Sequence, residues 1–192
     1  MAKTVPKPSN DIGLRVIPGG VIPQPTGAHQ WLEVGQALDA ELRAQYGIAA
    51  AAHTVAVGWT SIPGLQARRF VGGSRRVRES AALPMPSPHL MAPRSNAQFL
   101  DHAEQDVANA FIDAVSALGG QPALDSDWLR IYVSHAEGPC AACAQGLTER
   151  QVNPGVLGQL SRLYPALLVH LFWQTADGKL GSVMIEDGER LQ

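Results

Sequence analysis

LRIYVSHAEGPCAAC, residues 129–143, changes local rule partway along. Segment 129–134, LRIYVS, is rich in branched and aromatic side chains and reads as a strand. Residues 135–138 read as a short loop. Pro139 then suits the first position of a helix, where its missing N–H costs nothing. That predicts Cys140 and Cys143 in the first helical turn, at i and i+3 and so on one face, where the helix dipole favours thiolates. They are the chain's only cysteines, which excludes a disulfide framework and leaves a metal half-site or a redox pair.

Working outward, the apolar period of 29–46 predicts a helix stopped by Gly47. Segments 53–59 (HTVAVGW) and 65–71 (LQARRFV) predict two strands joined by a turn at Pro63-Gly64. Residues 72–94 carry prolines and arginines without a period and read as a long irregular segment, of a length that is usually functional or mobile. A helix is expected over 101–118, with Asp101 as N-cap and Gly119-Gly120 as its end. A further helix covers 156–164, and 166–175 with 179–186 form a hairpin around Asp177-Gly178. Helix, two strands, helix, strand, helix, two strands describes an α/β chain: a mixed five-stranded sheet with helices on both faces. Residues 1–28, with five prolines and Gly19-Gly20, read as an arm or linker, and 29–192 as one domain.

Composition narrows the function classes. Apolar residues are 45% and charged ones 17%, so the chain is expected to fold. The apolar stretch 166–173 is far shorter than the roughly 20 residues that span a bilayer, and the first residues lack the apolar centre of a secretory signal. A net charge of -2 argues against a uniformly basic surface. The charge is unevenly spread, however. Residues 65–94 hold six arginines against Glu79 alone, whereas 95–192 hold twelve acids against five basic residues.

Two thiolates need a further ligand, and histidine is the obvious one. The tripeptide His-Ala-Glu occurs twice, at 102–104 and 135–137. With His135, three ligands come from nine residues, a knuckle of structural type that gives a non-catalytic module. With His102, two helix starts converge on one metal, and Glu104 arrives on a rigid element. An acid at Glu104 is also ordinary capping chemistry opposite Asp101.

His102-Ala103-Glu104 followed by Pro139-Cys140-Ala141-Ala142-Cys143 resembles the signature of the zinc-dependent cytidine deaminase superfamily. The expected order of elements over 29–190 is similar to that family's, and implies a cytidine deaminase-like fold. The resemblance implies that His102, Cys140 and Cys143 bind Zn2+, which lowers the pKa of a water. It also implies that Glu104 passes the proton to the ring and the departing amine as cytosine becomes uracil. Many members read Glu-Pro-Cys, whereas Glu137-Gly138-Pro139 has an inserted glycine. The layout is most like the deaminase domains of bacterial polymorphic toxins. That implies a monomeric domain of a secreted or injected protein, acting on single- or double-stranded DNA in a recipient cell and matched by an immunity protein. A free nucleoside or base deaminase is the alternative enzyme.

Further contacts with substrate are expected around this centre. Arg68, Arg69, Arg75, Arg76 and Arg78 would suit a phosphate backbone or a solvated face. Trp59 is either a stacking surface for a base or part of the core. Ser134 and His135, where the expected strand meets its loop, would line the pocket.

Overall fold

The computed structural model describes residues 20–22, 25, 27–49, 53–93, 102–119, 124, 126–147 and 153–191. Its elements in chain order are α1 (Ala28–Tyr46), β1 (Val55–Thr60), β2 (Phe70–Gly73), α2 (Arg75–Ser80), α3 (Ala103–Ser116), β3 (Trp128–Val133), α4 (Val156–Leu163), β4 (Leu168–Gln174), β5 (Leu180–Glu186) and β6 (Glu189–Leu191). The strands make one mixed sheet in the order β2-β1-β3-β4-β5-β6, in which β3 and β4 are parallel and every other neighbouring pair is antiparallel. The expected α/β class and helices on both faces are present.

Each face has its own core. Val34, Leu38 and Leu42 of α1 bury against Val55, Val57, Trp59, Tyr132 and Phe172. On the other face Val107, Phe111 and Val115 of α3, with Leu157 and Leu160 of α4, bury against Ala56, Ile131, Val133 and Leu171. Alternate residues along β3 serve opposite cores, as the pleat requires. Helix α1 ends as the sequence predicts, with Gly47 at φ 66 closing the last turn onto Arg43.

Four expectations need correction. The sheet has six strands, because Asp187-Gly188 turns the chain back and Glu189–Leu191 pair with β5. All three residues of β6 are exposed, so they carry no apolar alternation to announce a strand. The second strand is Phe70–Gly73 and not 65–71, with Arg68 and Arg69 before it. Its glycines are needed there, since a Cβ on Gly72 would collide with the carbonyl of Ala103 at the start of α3. Within the expected irregular segment 72–94, Arg75–Ser80 form α2, and Arg78 pairs with the buried carboxylate of Asp106 on α3. Finally, residues 140–147 are a run of turns and not a helix, although Pro139 would have allowed one.

Residues 87–92 are strapped along α3. Gln105, Asn109 and Asp113, one per turn, accept the backbone N–H groups of Ala92, Leu90 and Ser87 at 2.9, 2.8 and 2.9 Å. From α4, Gln159 donates to the carbonyl of Met91 at 2.7 Å. A chain without secondary structure satisfies its backbone on side chains, which residue type alone does not reveal. His102 is the N-cap of α3, in an extended conformation, while Asp101 lies outside the described residues. No helix among the described residues is long and apolar enough to cross a membrane.

His170, 2% exposed, sits beneath α1 between the ring edge of Trp31 and the ring of Phe172. Burial, with the charge of Arg130 beside it, lowers its pKa from 6.5 to about 4. The folded state therefore resists a proton that the unfolded chain accepts, so stability present above pH 6.5 is lost as pH falls toward 4. Replacing His170 by leucine is expected to flatten this part of the acid limb in melting curves taken between pH 7 and 4. An unchanged pH slope would show that His170 does not couple stability to protons.

Candidate metal centre

Three chain segments meet at the C-terminal end of β3. His102 and Glu104 bracket Ala103, whose carbonyl rests on the bare Cα of Gly72, so the glycine lets α3 begin directly against β2. The cysteines follow the β3 loop in a compact turn closed by Ala144 N–H donating to the Cys140 carbonyl at 3.0 Å. The start of α4 holds this turn, with Leu157 N–H donating to the Cys143 carbonyl at 3.2 Å. A Cβ on Gly155, the N-cap of α4, would collide with the carbonyls of Ala142 and Cys143.

The geometry brings His102, Cys140 and Cys143 together. One ligand atom from each lies within 4.8 Å of the others, and His102 Nδ1 stands 3.0 Å from Cys140 Sγ. Cys143 N–H donates to the same sulfur at 3.4 Å. Cys143 is buried and Cys140 partly so, and no disulfide joins them. The proton that Cys143 shares with Cys140, helped by His102 and opposed by burial, lowers the Cys140 pKa to about 4. The same sharing, with burial and the Glu104 carboxylate, raises Cys143.

Glu104 is 3% exposed and reaches into this group without being one of the three. Cys140 N–H donates to Oε1 at 3.0 Å, and the Cys143 thiol approaches Oε2 at 3.8 Å. Burial, followed by the Cys140 thiolate, raises its pKa; its own N–H, that of Cys140 and His102 pull the other way. An imidazole and two thiols, gathered within one ion's reach, match the donor preference of zinc. These three residues could hold a metal ion.

A cavity of about 420 Å3 lies over the group, lined among others by Glu104, His135, Glu137, Thr54 and Ser74. His135 is exposed on its wall and is not part of the metal cluster; its Nδ1 accepts Glu137 N–H at 3.3 Å. Thr54 and Ser74 are additions that the sequence does not advertise, because each is a single hydroxyl residue at a strand end. The hydrogen bond from Ser74 N–H to the Thr54 carbonyl at 2.9 Å places them side by side.

The chain matches no protein-family model, no curated protein and no solved structure.

The remaining expected contacts divide. Trp59 is wholly buried and packs edge-on against Phe172, so it is core and offers no stacking surface. Ser134 Oγ accepts Val55 N–H at 2.9 Å and Arg43 at 3.0 Å, which makes it a link between β1, β3 and α1 outside the cavity lining. Arg69 donates to the carbonyls of Gly20 and Ala67 and pairs with Glu41 at 3.4 Å, while Arg78 is committed to Asp106. Neither is placed as a surface phosphate ligand. Arg68 is exposed and lies over the Phe70 ring, and Arg75 and Arg76 are exposed on α2, Arg75 paired with Glu79 at 2.8 Å.

Metal analysis of purified variants checks the ligand set. His102→Ala and Cys143→Ser are expected to lose stoichiometric zinc, and His135→Ala to keep it. Retention in the first two with loss in the third would move the site to the loop.

Proposed function

We propose that this chain is a zinc-dependent hydrolytic deaminase that converts cytosine in DNA to uracil, with water consumed and ammonia released. The observation that carries the reading is the position of the Glu104 carboxylate, buried beside His102, Cys140 and Cys143 and held by Cys140 N–H. A structural metal site has no use for a buried acid facing a cavity. A hydrolytic one needs such a group to relay protons.

His102, Cys140 and Cys143 would hold the zinc, which supplies Lewis acidity that makes a water nucleophilic near neutral pH. Glu104 is fixed through Oε1, leaving Oε2 to accept a proton and return it, first to the ring nitrogen of the base and then to the departing amine. Cys140 thus contributes twice, its sulfur as a ligand and its N–H as the support of the acid. Thr54, Ser74 and His135 offer hydrogen bonds to the polar edge of a base from the far wall.

A polymer substrate is favoured by the neighbourhood of the cavity. Arg75 and Arg76, exposed on α2, directly follow Ser74 on its wall, where phosphates flanking a single-stranded or flipped nucleotide would pass. The resemblance to toxin deaminases adds a recipient cell as the place of action and an immunity protein as the natural inhibitor.

Sequencing of single- and double-stranded DNA and RNA after incubation with the protein tests substrate and reaction together. C-to-T changes in DNA are expected, and activity should drop steeply with added salt because phosphate contacts release counterions. Conversion of free cytidine with little salt dependence would replace the polymer by a nucleoside. Glu104→Ala should keep its zinc and lose about a hundred- to ten-thousand-fold in kcat. A fully active Glu104→Ala protein would remove the acid from the mechanism.

A further inference from the structure

Trp173 lies at the end of β4 on the α3 and α4 side, partly buried against the core that contains Cys143. Two glycines from different segments meet its indole. A Cβ on Gly138, in the loop before the cysteines, would stand 2.6 Å from Cε2 and 2.8 Å from Cζ2 of the ring. A Cβ on Gly181, which faces Trp173 across the β4–β5 ladder, would collide with the same edge. The indole therefore touches bare backbone on β5 and on the loop.

That loop has few anchors of its own. Its described hydrogen bonds close on His135, whose Nδ1 accepts Glu137 N–H and whose carbonyl accepts Gly138 N–H at 2.9 Å. Gly138 adopts φ 80, a left-handed conformation in which a side chain is strained. Two residues later, Cys140 presents its sulfur to His102 and its N–H to Glu104. A shift of the loop would move both groups together.

We infer that Trp173 is a positioning residue for the metal centre. Its indole, seated on Gly181, sets the path of residues 135–139, and through Cys140 it sets one thiolate and the carboxylate of Glu104. Gly138, before Pro139, lets the loop backbone approach this ring with no side chain between them. The inference rests on the deaminase reading only for its turnover readout, since ligand placement is measurable without any substrate.

Cobalt(II) reports thiolate ligation through its visible bands, so cobalt-loaded wild type, Gly181→Ala, Trp173→Leu, Trp173→Phe and the Gly181→Ala/Trp173→Leu double variant are compared. Gly181→Ala changes only β5, outside the cavity, yet is expected to shift the cobalt–thiolate bands. It should also weaken Co2+ binding by about tenfold, the scale of groups that orient metal ligands. Trp173→Leu should behave likewise and Trp173→Phe stay near wild type, and the double variant should cost less than the sum of the single effects. In deamination, kcat should fall with little change in KM.

Gly181→Ala or Trp173→Leu proteins that melt earlier but keep wild-type bands and Co2+ affinity would reduce Trp173 to ordinary core. Strictly additive effects in the double variant would overturn the inference equally. Should Gly181→Ala fail to fold, the contrast between Trp173→Leu and Trp173→Phe decides in its place. Cobalt bands that respond as expected in a protein without deamination would remove the deaminase reading and leave the positioning intact. The converse result, active variants with unmoved bands, would remove only the positioning.

Discussion

Parallel pairing of β3 with β4 constrains everything near the candidate site. Two parallel neighbours cannot be joined by a tight turn, so the chain leaving Val133 must cross one face of the sheet before it re-enters at Leu168. Among the described residues the crossover holds the loop at 134–139, the cysteine turn and α4. Because α3 occupies the same face, the start of α3 and the cysteine turn are pressed together at the C-terminal end of β3. The grouping of the three candidate ligands follows from that crowding. They come from segments 38 residues apart in the chain, joined by a hydrogen bond from Cys140 N–H to Glu104 and by the 3.0 Å approach of sulfur to imidazole.

Glycine supplies the close approaches that this packing demands. At Gly72 the missing side chain admits the first carbonyl of α3, and at Gly155 it admits the carbonyls of the cysteine turn. Gly138 and Gly181 do the same for one indole ring. In each case backbone meets its neighbour directly, which fixes spacing more firmly than a contact between flexible side chains. A site whose ligand atoms must agree within tenths of an ångström gains from such rigid joints.

The basic segment shows the limit of reading charge from composition. Of five arginines grouped in sequence, Arg69 and Arg78 are committed to Glu41 and Asp106, and Arg78 fastens α2 to the helix that carries Glu104. Arg68, Arg75 and Arg76 remain at the surface. Which cations fold inward was decided by acids on α1 and α3, remote in sequence, and no local pattern announces such a pairing. Trp59 illustrates the same point for an apolar side chain, since its strand position was legible and its complete burial under α1 was not.

Resemblance of the motif grouped His-Ala-Glu at 102–104 with the two cysteines, while the sequence by itself determined the α/β class and the helices and strands with strong periods. Those features depend on local spacing, which is written along the chain. Only the tertiary structure decided that His102 and not His135 stands beside the thiols, that the cysteine turn is not helical, and that a sixth strand of three exposed residues completes the sheet. The first depends on contact between residues 38 apart in sequence, whereas the sixth strand follows a tight turn and is hidden because its three exposed residues carry no apolar pattern. Where backbone is satisfied by a distant side chain, as along the strap on α3, residue type carries no trace of its partner.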